Sequence, residues 1–342
     1  VALNARDAAQ RGATVLTRTL CESAKRRDGL WQVTLAGPAG RQTVRGRALV
    51  NAAGPWVEQV LRERIDATSA DAVRLVRGSH IVTRRLFDHD QPYFFQLNDG
   101  RIIFAIPYET DFTLIGTTDA DYDGDPDAAV CTPEERAYLL AAASRFLREP
   151  VDDKEVVWGY SGVPPLYNDN AALATAATRH YVLRLAAPDG GAALLSVFGG
   201  KITTFRRLAE LALDKLAPHL PTATGGWTAD SVLPGGNFAV GGVADLVAKL
   251  RADHDFLDAR WALRLVRAYG TEATTMLDGA TKPADLGRHF GWNLTEREVN
   301  WLRNREFAET AQDILWRRSK IGLRLSEAET AALKEWSAAN PL

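Results

Sequence analysis

The first fifty residues alternate between apolar and polar positions in a way that predicts strands separated by turns. Leu30–Leu35 alternates, and Asp28–Gly29 before it is a dipeptide typical of a tight hairpin turn. Gly37–Gly40 predicts a second turn. Further strands are predicted over Thr14–Leu20 and Thr43–Val50.

Apolar alternation continues through residues 72–120 and predicts a larger, mainly antiparallel sheet. Thr132 and Pro133 then predict the beginning of a helix that ends near Leu147. Ala193–Phe198 is a short continuous apolar run, which is typical of a strand buried on both faces. The other predicted strands of this region are Val73–Val76, His80–Thr83, Tyr93–Leu97, Arg101–Ile106, Phe112–Thr117, Val156–Tyr160 and Tyr181–Leu185.

The period of the apolar positions changes to a helical one after Gly200. Phe205, Leu208 and Leu216 share one broad helix face. Prolines and glycines around residues 218–226 predict a linker. From about residue 240 to residue 340 the pattern is helical throughout, which predicts a separate all-helical C-terminal domain; a short helix over residues 4–11 is also predicted.

Composition narrows the class of protein without identifying a function. The chain has 342 residues, 46% of them hydrophobic and 25% charged, and a net charge of -2. This excludes a mainly disordered chain and gives no global attraction to nucleic acid. No apolar run approaches the roughly 18 residues that span a bilayer. The sole methionine is Met276 and the chain opens abruptly at Val1. We therefore expect this chain to be the C-terminal part of a longer protein, with an N-terminal nucleotide-binding unit as the part that it lacks.

The segment with the most chemical information is the end of the buried strand at Gly199, Gly200 and Lys201. A strand, two glycines and then a helix would aim free backbone N–H groups and the helix dipole at an anion or an electron-rich ring. It is not a P-loop, because Leu195 stands in place of a glycine and Ile202 in place of Ser or Thr. The alternative is an ordinary strand-to-helix turn with a solvated lysine.

Other candidate residues have strong structural alternatives. His80 precedes an apolar run and is a candidate base or hydrogen-bond donor, although a lone histidine is more often structural; the other five are interpreted as structural or exposed. Asp119–Gly124 imitates the start of a calcium loop, yet Val130 stands where that loop needs a bidentate Glu. Cys21 and Cys131 form no CxxC pair. No metal site is therefore predicted. Trp316–Lys320 is a basic cluster, either a solvated helix face or an attachment to an anionic membrane.

Taken together, these segments resemble the aerobic, FAD-dependent glycerol-3-phosphate dehydrogenase family over nearly the whole chain. The matching stretches are Leu20–Trp31, Leu49–Val57, Arg74–Val82, Phe104–Pro107, Ile115–Asp119, Trp158–Val163, Leu195–Thr204 and Val232–Gly236. The family's N-terminal glycine-rich FAD fingerprint is absent here. The resemblance therefore implies a mixed α/β (α+β) chain. Residues 1–71 would be the remainder of a glutathione-reductase-like FAD domain completed by residues 190–220, 72–189 an antiparallel substrate domain, and 221–342 an all-helical domain.

The resemblance also implies an activity: oxidation of sn-glycerol 3-phosphate to dihydroxyacetone phosphate, with electrons passed through FAD to a quinone. It implies catalytic roles for His80 and Lys201, and substrate binding by Arg179, Lys201 and Thr204. The implied FAD-binding residues are Ala53, Gly54, Gly199, Gly200, Lys201, Ile202 and Thr203. The implied place is the cytoplasmic face of the inner membrane, as a peripheral protein, with a quinone, a membrane surface and a second copy of the chain as partners.

One departure from the family pattern concerns the substrate. Where the family usually has Gly-Val-Arg-Pro-Leu, this chain has a proline at position 164, which cannot pair with a phosphate. That favours, as an alternative, an FAD-dependent amine or amino-acid oxidase of the same fold. A third interpretation is a non-catalytic fragment or interaction module, because the missing fingerprint normally grips the adenosine half of FAD, and FAD retention by this chain is left open.

Overall fold

The computed structural model describes residues 1–65, 67, 69–98, 100–169, 178–188, 191–221 and 225–341. The chain forms two compact units. One comprises Arg18–Ala229, and the other combines Val1–Thr17 with the residues from Asp230 onward. The predicted boundary between residues 189 and 190 lies outside the described residues. No described helix is both long enough and apolar enough to cross a membrane.

A three-stranded antiparallel meander opens the larger unit. Its strands are β1 (Leu20–Arg27), β2 (Leu30–Gly37) and β3 (Gly40–Gly46). Both residues of the first turn, Asp28 and Gly29, have a positive φ (51° and 73°), as the predicted tight hairpin requires. The predicted strand over residues 14–20 is wrong, because the first strand, β1, begins only at residue 20. The outward-facing positions of β1 carry its polar side chains.

A second small sheet contains the one pair of parallel strands found among the described residues. It is built from β4 (Ala48–Asn51), β12 (Tyr181–Ala186) and β13 (Ala193–Gly199), in the order β12-β13-β4. Helix α2 (Val57–Val60, continued by a π-helical turn over Leu61–Ile65) and helix α4 (Phe205–Leu216) follow β4 and β13. Strand β13 is almost completely buried, as its continuous apolar sequence predicts.

The large sheet of residues 73–167 is antiparallel throughout, as predicted. Its central order is β10-β5-β8-β7-β6, and two short strands also pair with β5. The strands are β5 (Val73–Arg84), β6 (Tyr93–Gln96), β7 (Ile102–Tyr108), β8 (Phe112–Gly116), β9 (Ala120–Asp121), β10 (Val156–Gly162) and β11 (Pro165–Tyr167). The two strands predicted within residues 73–83 are one long strand, because the polar residues between them pair with β10 and β9.

Helix α3 (Pro133–Ser144) covers one face of this sheet. It begins with a complete capping box between Thr132 and Glu135, as the sequence around residue 132 predicts. Alternate strand residues such as Ile81, Ile103 and Ile115 pack with α3 in a dry core. The residues between them, His80 among them, therefore point to the other face of the sheet.

The second unit is helical, with one exception. Its helices are α1 (Ala2–Gln10), α5 (Val243–Asp253), α6 (Ala259–Tyr269), α7 (Glu272–Leu277), α8 (Glu296–Glu306) and α9 (Glu327–Ala339), with a π-helical turn over Asp313–Arg318. The prediction of an all-helical domain is wrong at one point, since β14 (His289–Gly291) and β15 (Leu294–Thr295) form a small hairpin. Pro283–Leu286, within the predicted helical region, forms only a 3-10 turn before that hairpin.

Buried ion pairs join distant parts of this helical unit. Arg6 of α1 donates to Glu272 of α7 through Nη1 at 2.6 Å and Nη2 at 2.5 Å. Arg264 binds both oxygens of Glu298 at 2.6 Å, and the Tyr269 hydroxyl donates to the same carboxylate. Residues 1–17 thus pack with the helical unit, so the predicted grouping of residues 1–71 differs from the structure at its N-terminal end.

Candidate functional site

Two of the predicted cofactor segments lie at one edge of the small sheet. Strands β4 and β13 are parallel, with Asn51 in register with Ser196. Their carboxyl ends lead directly to Ala53 and Gly54 in one segment and to Gly199 in the other. The carboxyl edge of parallel strands is where open α/β sheets bind ligands, so the position of both segments suits a cofactor.

The turn after β4 is shaped by a buried asparagine and leaves open space beside its glycine. Asn51 Nδ2 donates to the Val57 carbonyl at 2.9 Å, and its Oδ1 accepts from the Ala53 N–H at 3.3 Å. Gly54 has a φ of 58°, and a Cβ there would meet no atom within 4 Å. The conformation requires glycine, while the space next to it is free to take another molecule.

The glycine pair after β13 has a different explanation. Gly199 and Gly200 have φ values of 70° and 109°. A Cβ at Gly199 would lie 2.8 Å from the Tyr167 backbone nitrogen, and one at Gly200 would lie 3.1 Å from Tyr181 Cβ. Neighbouring strands of the protein therefore fill the space beside both Cβ positions. The role of these two glycines in cofactor binding stays a prediction.

The four residues that follow present a cation and exposed backbone at the start of α4. Ile202–Thr204 form a 3-10 turn, and neither this turn nor α4 has a side-chain cap at its beginning. Thr204 Oγ1 donates to the Lys201 carbonyl at 3.0 Å. The Lys201 side chain is exposed and has no hydrogen bond or ion pair within the described ranges. An uncapped helix start next to a free ammonium group is suited to an anion.

Arg179 approaches this turn from the strand on the other side. The His180 carbonyl lies 3.2 Å from the Cβ position of Gly199, which brings the preceding arginine to the same edge. Arg179 Nη2 lies 3.8 Å from Asp119 Oδ2. Burial raises the pKa of Asp119, and the positive charges of Arg179 and Arg101 oppose that increase. The long ion pair leaves the guanidinium about half exposed, able to bind an anion.

His80 lies on the open face of the large sheet, on the central strand β5. Its ring stacks on Tyr160 of β10, with centroids 5.1 Å apart and planes inclined by 5°. Burial lowers the pKa of His80, so the imidazole is neutral at physiological pH. Its Nδ1 is buried, and no atom in the described part of the chain hydrogen-bonds to it. A neutral, partly buried imidazole can accept a proton or donate a hydrogen bond.

The opposite face of β5 is anchored to α3 by a polar cluster. Ser79 Oγ donates to Glu135 Oε2 at 2.9 Å and lies 2.7 Å from Ser161 Oγ. Thr118 Oγ1 and Arg77 Nε donate to Glu135 Oε1. These bonds fix the backbone on which His80 is carried, because each of them crosses between separate elements.

The structure brings the predicted residues into two neighbouring groups. Gly199, Gly200 and Arg179 meet at one edge, and Asp119, the partner of Arg179, lies three residues beyond Gly116, which is in register with His80. Within the described residues, no hydrogen bond joins His80 to Lys201. The sequence did not single out Tyr160 or Gly116, and it considered Asp119 only as part of an acidic segment, although all three occur in stretches that carry the family resemblance.

Two other motifs have structural roles. Asp121, in the acidic segment that imitates a calcium loop, is paired with Arg74 at 2.5 Å. In the basic cluster near residue 316, Arg318 Nε donates to the Glu306 carbonyl at 2.6 Å and Lys320 Nζ donates to the Trp316 carbonyl at 2.5 Å. Those two cations cap helix ends, which supports the structural interpretation of this cluster over a membrane attachment.

Comparison with known families gives two matches along the chain. Residues 1–206 match the family described as FAD dependent oxidoreductase. Residues 227–338 match the family described as the C-terminal domain of alpha-glycerophosphate oxidase. Together the two matches cover both compact units.

Individual relatives agree with these matches. The chain is 44% identical to a glycerol-3-phosphate dehydrogenase of Pseudomonas aeruginosa, covering 98% of this chain and 66% of that protein. It is 43% identical to the D-erythritol 1-phosphate dehydrogenase of Brucella abortus, covering 98% and 67%. The crystal structure of a Bacillus halodurans glycerol-3-phosphate dehydrogenase complexed with FAD superposes with a TM-score of 0.79 at 28% identity, over 99% of this chain and 67% of that one. The chain thus spans about two thirds of the length of these relatives.

Proposed function

The chain belongs to the family of FAD-dependent oxidoreductases, and on that basis we propose that the protein oxidises sn-glycerol 3-phosphate to dihydroxyacetone phosphate with FAD as its cofactor. The observation that carries the proposal is the meeting of Gly199 and the Arg179–His180 segment at the edge where Lys201 begins a helix. A free cation, an uncapped helix start and a second cation converge there, next to the strand that carries His80.

The chemistry requires a proton acceptor and an electron acceptor. The carbon 2 hydrogen of the alcohol leaves as a hydride with both electrons of its bond, the hydroxyl loses its proton, and the carbon–oxygen double bond forms. FAD, when bound, supplies the acceptor for that hydride. His80 accepts the hydroxyl proton, for which it must be neutral, and burial of its imidazole favours the neutral form.

The residues present fit a flavin cofactor. The open space beside Gly54 and the exposed, uncapped segment after Gly200 lie at the carboxyl edge of parallel strands. Lys201 would place a positive charge where the flavin gains negative charge. The residues proposed to hold FAD are Ala53, Gly54, Gly199, Gly200, Lys201, Ile202 and Thr203.

Arg179 is proposed to bind the substrate phosphate, helped by Lys201 and Thr204. Its guanidinium is already paired with a carboxylate, Asp119, at the long distance of 3.8 Å, so a dianionic phosphate would compete for it effectively. Pro164 lies exposed in the segment between β10 and β11 and offers no positive charge. Phosphate binding would therefore depend on Arg179 more than in relatives with an arginine at that position.

A second candidate substrate is a longer polyol phosphate. The identity to the D-erythritol 1-phosphate dehydrogenase is almost equal to that of the first relative, 43% against 44%. Because both substrates carry a phosphate, the absence of a cation at Pro164 does not distinguish between them. An amine or amino-acid substrate remains the third candidate, because it needs no phosphate site at all.

Substrate choice is tested by comparing turnover after loading with FAD, using a soluble quinone analogue as the electron acceptor. We expect sn-glycerol 3-phosphate or D-erythritol 1-phosphate to be oxidised far faster than sarcosine or a D-amino acid. Arg179→Gln should raise KM by about tenfold or more, whereas Arg148→Gln on an exposed loop should not. Oxidation of sarcosine alone would overturn the proposal. A chain that retains no flavin after excess FAD is removed would favour the non-catalytic interpretation.

Peripheral attachment to a membrane is proposed for helix α4 in place of the basic cluster at residue 316. Phe205 and Leu213 are 46% and 51% exposed and lie within one stripe of the helical surface. Lys215 lies on the same helix and would favour anionic headgroups, whereas Arg206 and Arg207 are already paired with Glu210. The quinone and a second copy of the chain remain predicted partners.

Co-sedimentation with vesicles tests this attachment. The chain should sediment with vesicles that contain anionic lipid, and Leu213→Ser should weaken that binding. Val44→Ser serves as the matched control, since Val44 is 40% exposed on β3, in the three-stranded meander. Equal binding of both variants would refute the role of α4.

A further inference from the structure

The orientation of the His80 ring depends on its two neighbours, because none of the residues that the structure describes hydrogen-bonds to it. A functional imidazole is usually oriented by a hydrogen bond from the ring nitrogen that does not take part in the chemistry. Here Nδ1 is buried, and no described residue hydrogen-bonds to it. The flanking strands place Tyr160 in register on one side of His80 and Gly116 on the other. These two residues are therefore the ones that can hold the ring in place.

Gly116 leaves the room into which the edge of the imidazole fits. A Cβ at Gly116 would lie 2.1 Å from His80 Cδ2, and 2.7 Å from both Cγ and Nε2. Contacts under 3.0 Å are not found for real Cβ atoms. Any side chain at position 116 would push the ring out of its observed place. Gly159 on β10 is different, since its Cβ would have no neighbour closer than 3.6 Å.

Tyr160 covers the flat face of the imidazole. The rings of His80 and Tyr160 are almost parallel. Trp158 in turn stacks on Tyr160, with the two ring centroids 4.7 Å apart. The three rings form a continuous column on the open face of the sheet. Aromatic stacking of this kind fixes ring planes while excluding water from the covered face.

Tyr160 on β10 is the titratable group whose ring stacks on His80, and burial raises the pKa of its phenol. Strand β8, on the side of Gly116, contains no titratable residue. Burial is thus the cause of the lowered pKa of His80. Removing the Tyr160 ring that covers the imidazole should therefore raise that pKa.

We propose that Tyr160 and Gly116 are positioning residues for His80: the phenol ring and the bare glycine backbone together fix the imidazole plane and shield it from water. This inference rests on the proposed function only for the chemical role of the imidazole, as acceptor of the hydroxyl proton. The positioning itself is a property of the described residues and can be measured without FAD or substrate.

The first test is an NMR titration of the histidines. The chain contains six, and His80→Gln identifies the signal of His80 by its loss. We expect Tyr160→Ala to raise the His80 pKa toward its unperturbed value near 6.5 by about half a unit or more. Tyr160→Phe keeps the ring and should leave that pKa unchanged, as should Tyr122→Ala, which removes a tyrosine that has no ring contact with a histidine. An unchanged pKa in Tyr160→Ala would overturn the role of Tyr160.

The second test is a double-mutant cycle on thermal unfolding. Gly116→Ala should lower the melting temperature of the larger unit, and Gly159→Ala, the same change on the neighbouring strand, should lower it much less. In a His80→Ala background the penalty of Gly116→Ala should largely disappear, because the clashing ring is gone. An equal penalty in both backgrounds would show that Gly116 serves the backbone alone, and the positioning role of Gly116 would be refuted.

Activity separates this inference from the proposed function. If the protein oxidises a polyol phosphate, Tyr160→Ala should lower kcat and move the acid limb of its pH profile upward, with little change in KM. If the titration and unfolding results hold but no alcohol is oxidised, the positioning inference stands and the proposed function fails.

Discussion

Replacing Gly199 by alanine is the most direct test of how the turn after β13 is built. The change introduces one methyl group at a residue with a φ of 70°, 2.8 Å from the backbone nitrogen of Tyr167 and 3.2 Å from the His180 carbonyl oxygen. Ordinary contacts of a Cβ begin at 3.4 Å. Because both obstacles are backbone atoms, a rotamer change cannot relieve them.

The expected loss has two parts. A left-handed conformation costs an alanine about 1 kcal/mol more than a glycine, and overpacking against a rigid neighbour adds about 1–3 kcal/mol. We therefore expect Gly199→Ala to reduce the free energy of unfolding of the larger unit by about 2–4 kcal/mol. Gly40→Ala and Gly54→Ala share the positive φ but meet no atom within 4 Å, so each should lose only about 1 kcal/mol.

Urea denaturation followed by tryptophan fluorescence measures the three variants side by side. Trp31 reports on this unit, since its indole is buried and donates to the Ala193 carbonyl of β13 at 2.8 Å. A Gly199→Ala variant no less stable than Gly40→Ala would show that the turn is not packed against Tyr167. Flavin absorbance after incubation with FAD adds a functional comparison: Gly54→Ala should retain less flavin than the equally stable Gly40→Ala.

Two further predictions concern buried charge. The Arg184 guanidinium, with smaller contributions from the Tyr167 and Ser69 hydroxyls, lowers the pKa of Asp71 to about 2; the carboxylate is 9% exposed. This pKa shift contributes about 1–2 kcal/mol to the free energy of unfolding, a value reduced because solvent screens the exposed Arg184. The contribution is complete above about pH 4 and is lost as pH falls toward about 2. Asp71→Asn should remove this acid dependence from the urea midpoint. Glu298→Gln, which removes the carboxylate charge that Arg264 and Tyr269 share, should destabilise the helical unit by about 3–5 kcal/mol in thermal unfolding. Lys249→Ala on the surface of α5 is its control, and an equal loss in both variants would contradict this account.

Local sequence predicted those parts of the fold that depend on neighbouring residues. Asp28–Gly29 specified a tight hairpin because few residues adopt two successive positive φ values. Thr132 with Glu135 specified the start of α3, since the capping box lies within four residues. The strand predicted at Thr14–Leu20 was wrong because its apolar and polar alternation has no neighbouring strand to pair with until residue 20.

The candidate site shows the same division. The strand, glycine pair and helix around Gly199 were found from sequence, and so was the position of His80. The contacts that explain them were not: the register of Tyr160 and Gly116 against His80 joins residues about 36 to 80 positions apart. The pair between Arg179 and Asp119 joins residues equally distant along the chain. No local pattern encodes such distances.

The sequence by itself determined the large antiparallel sheet, the helical C-terminal region, the succession of strand, glycine pair and helix around Gly199 and the family resemblance, because each of these depends on short-range pattern and residue type. Only the tertiary structure decided that residues 1–17 join the helical unit, through the pair of Arg6 and Glu272. It also decided that Gly199 packs against Tyr167 and Gly200 against Tyr181, and that no described residue hydrogen-bonds to the buried Nδ1 of His80. Those outcomes depend on which distant surfaces meet, and burial, steric exclusion and pKa exist only once they have met.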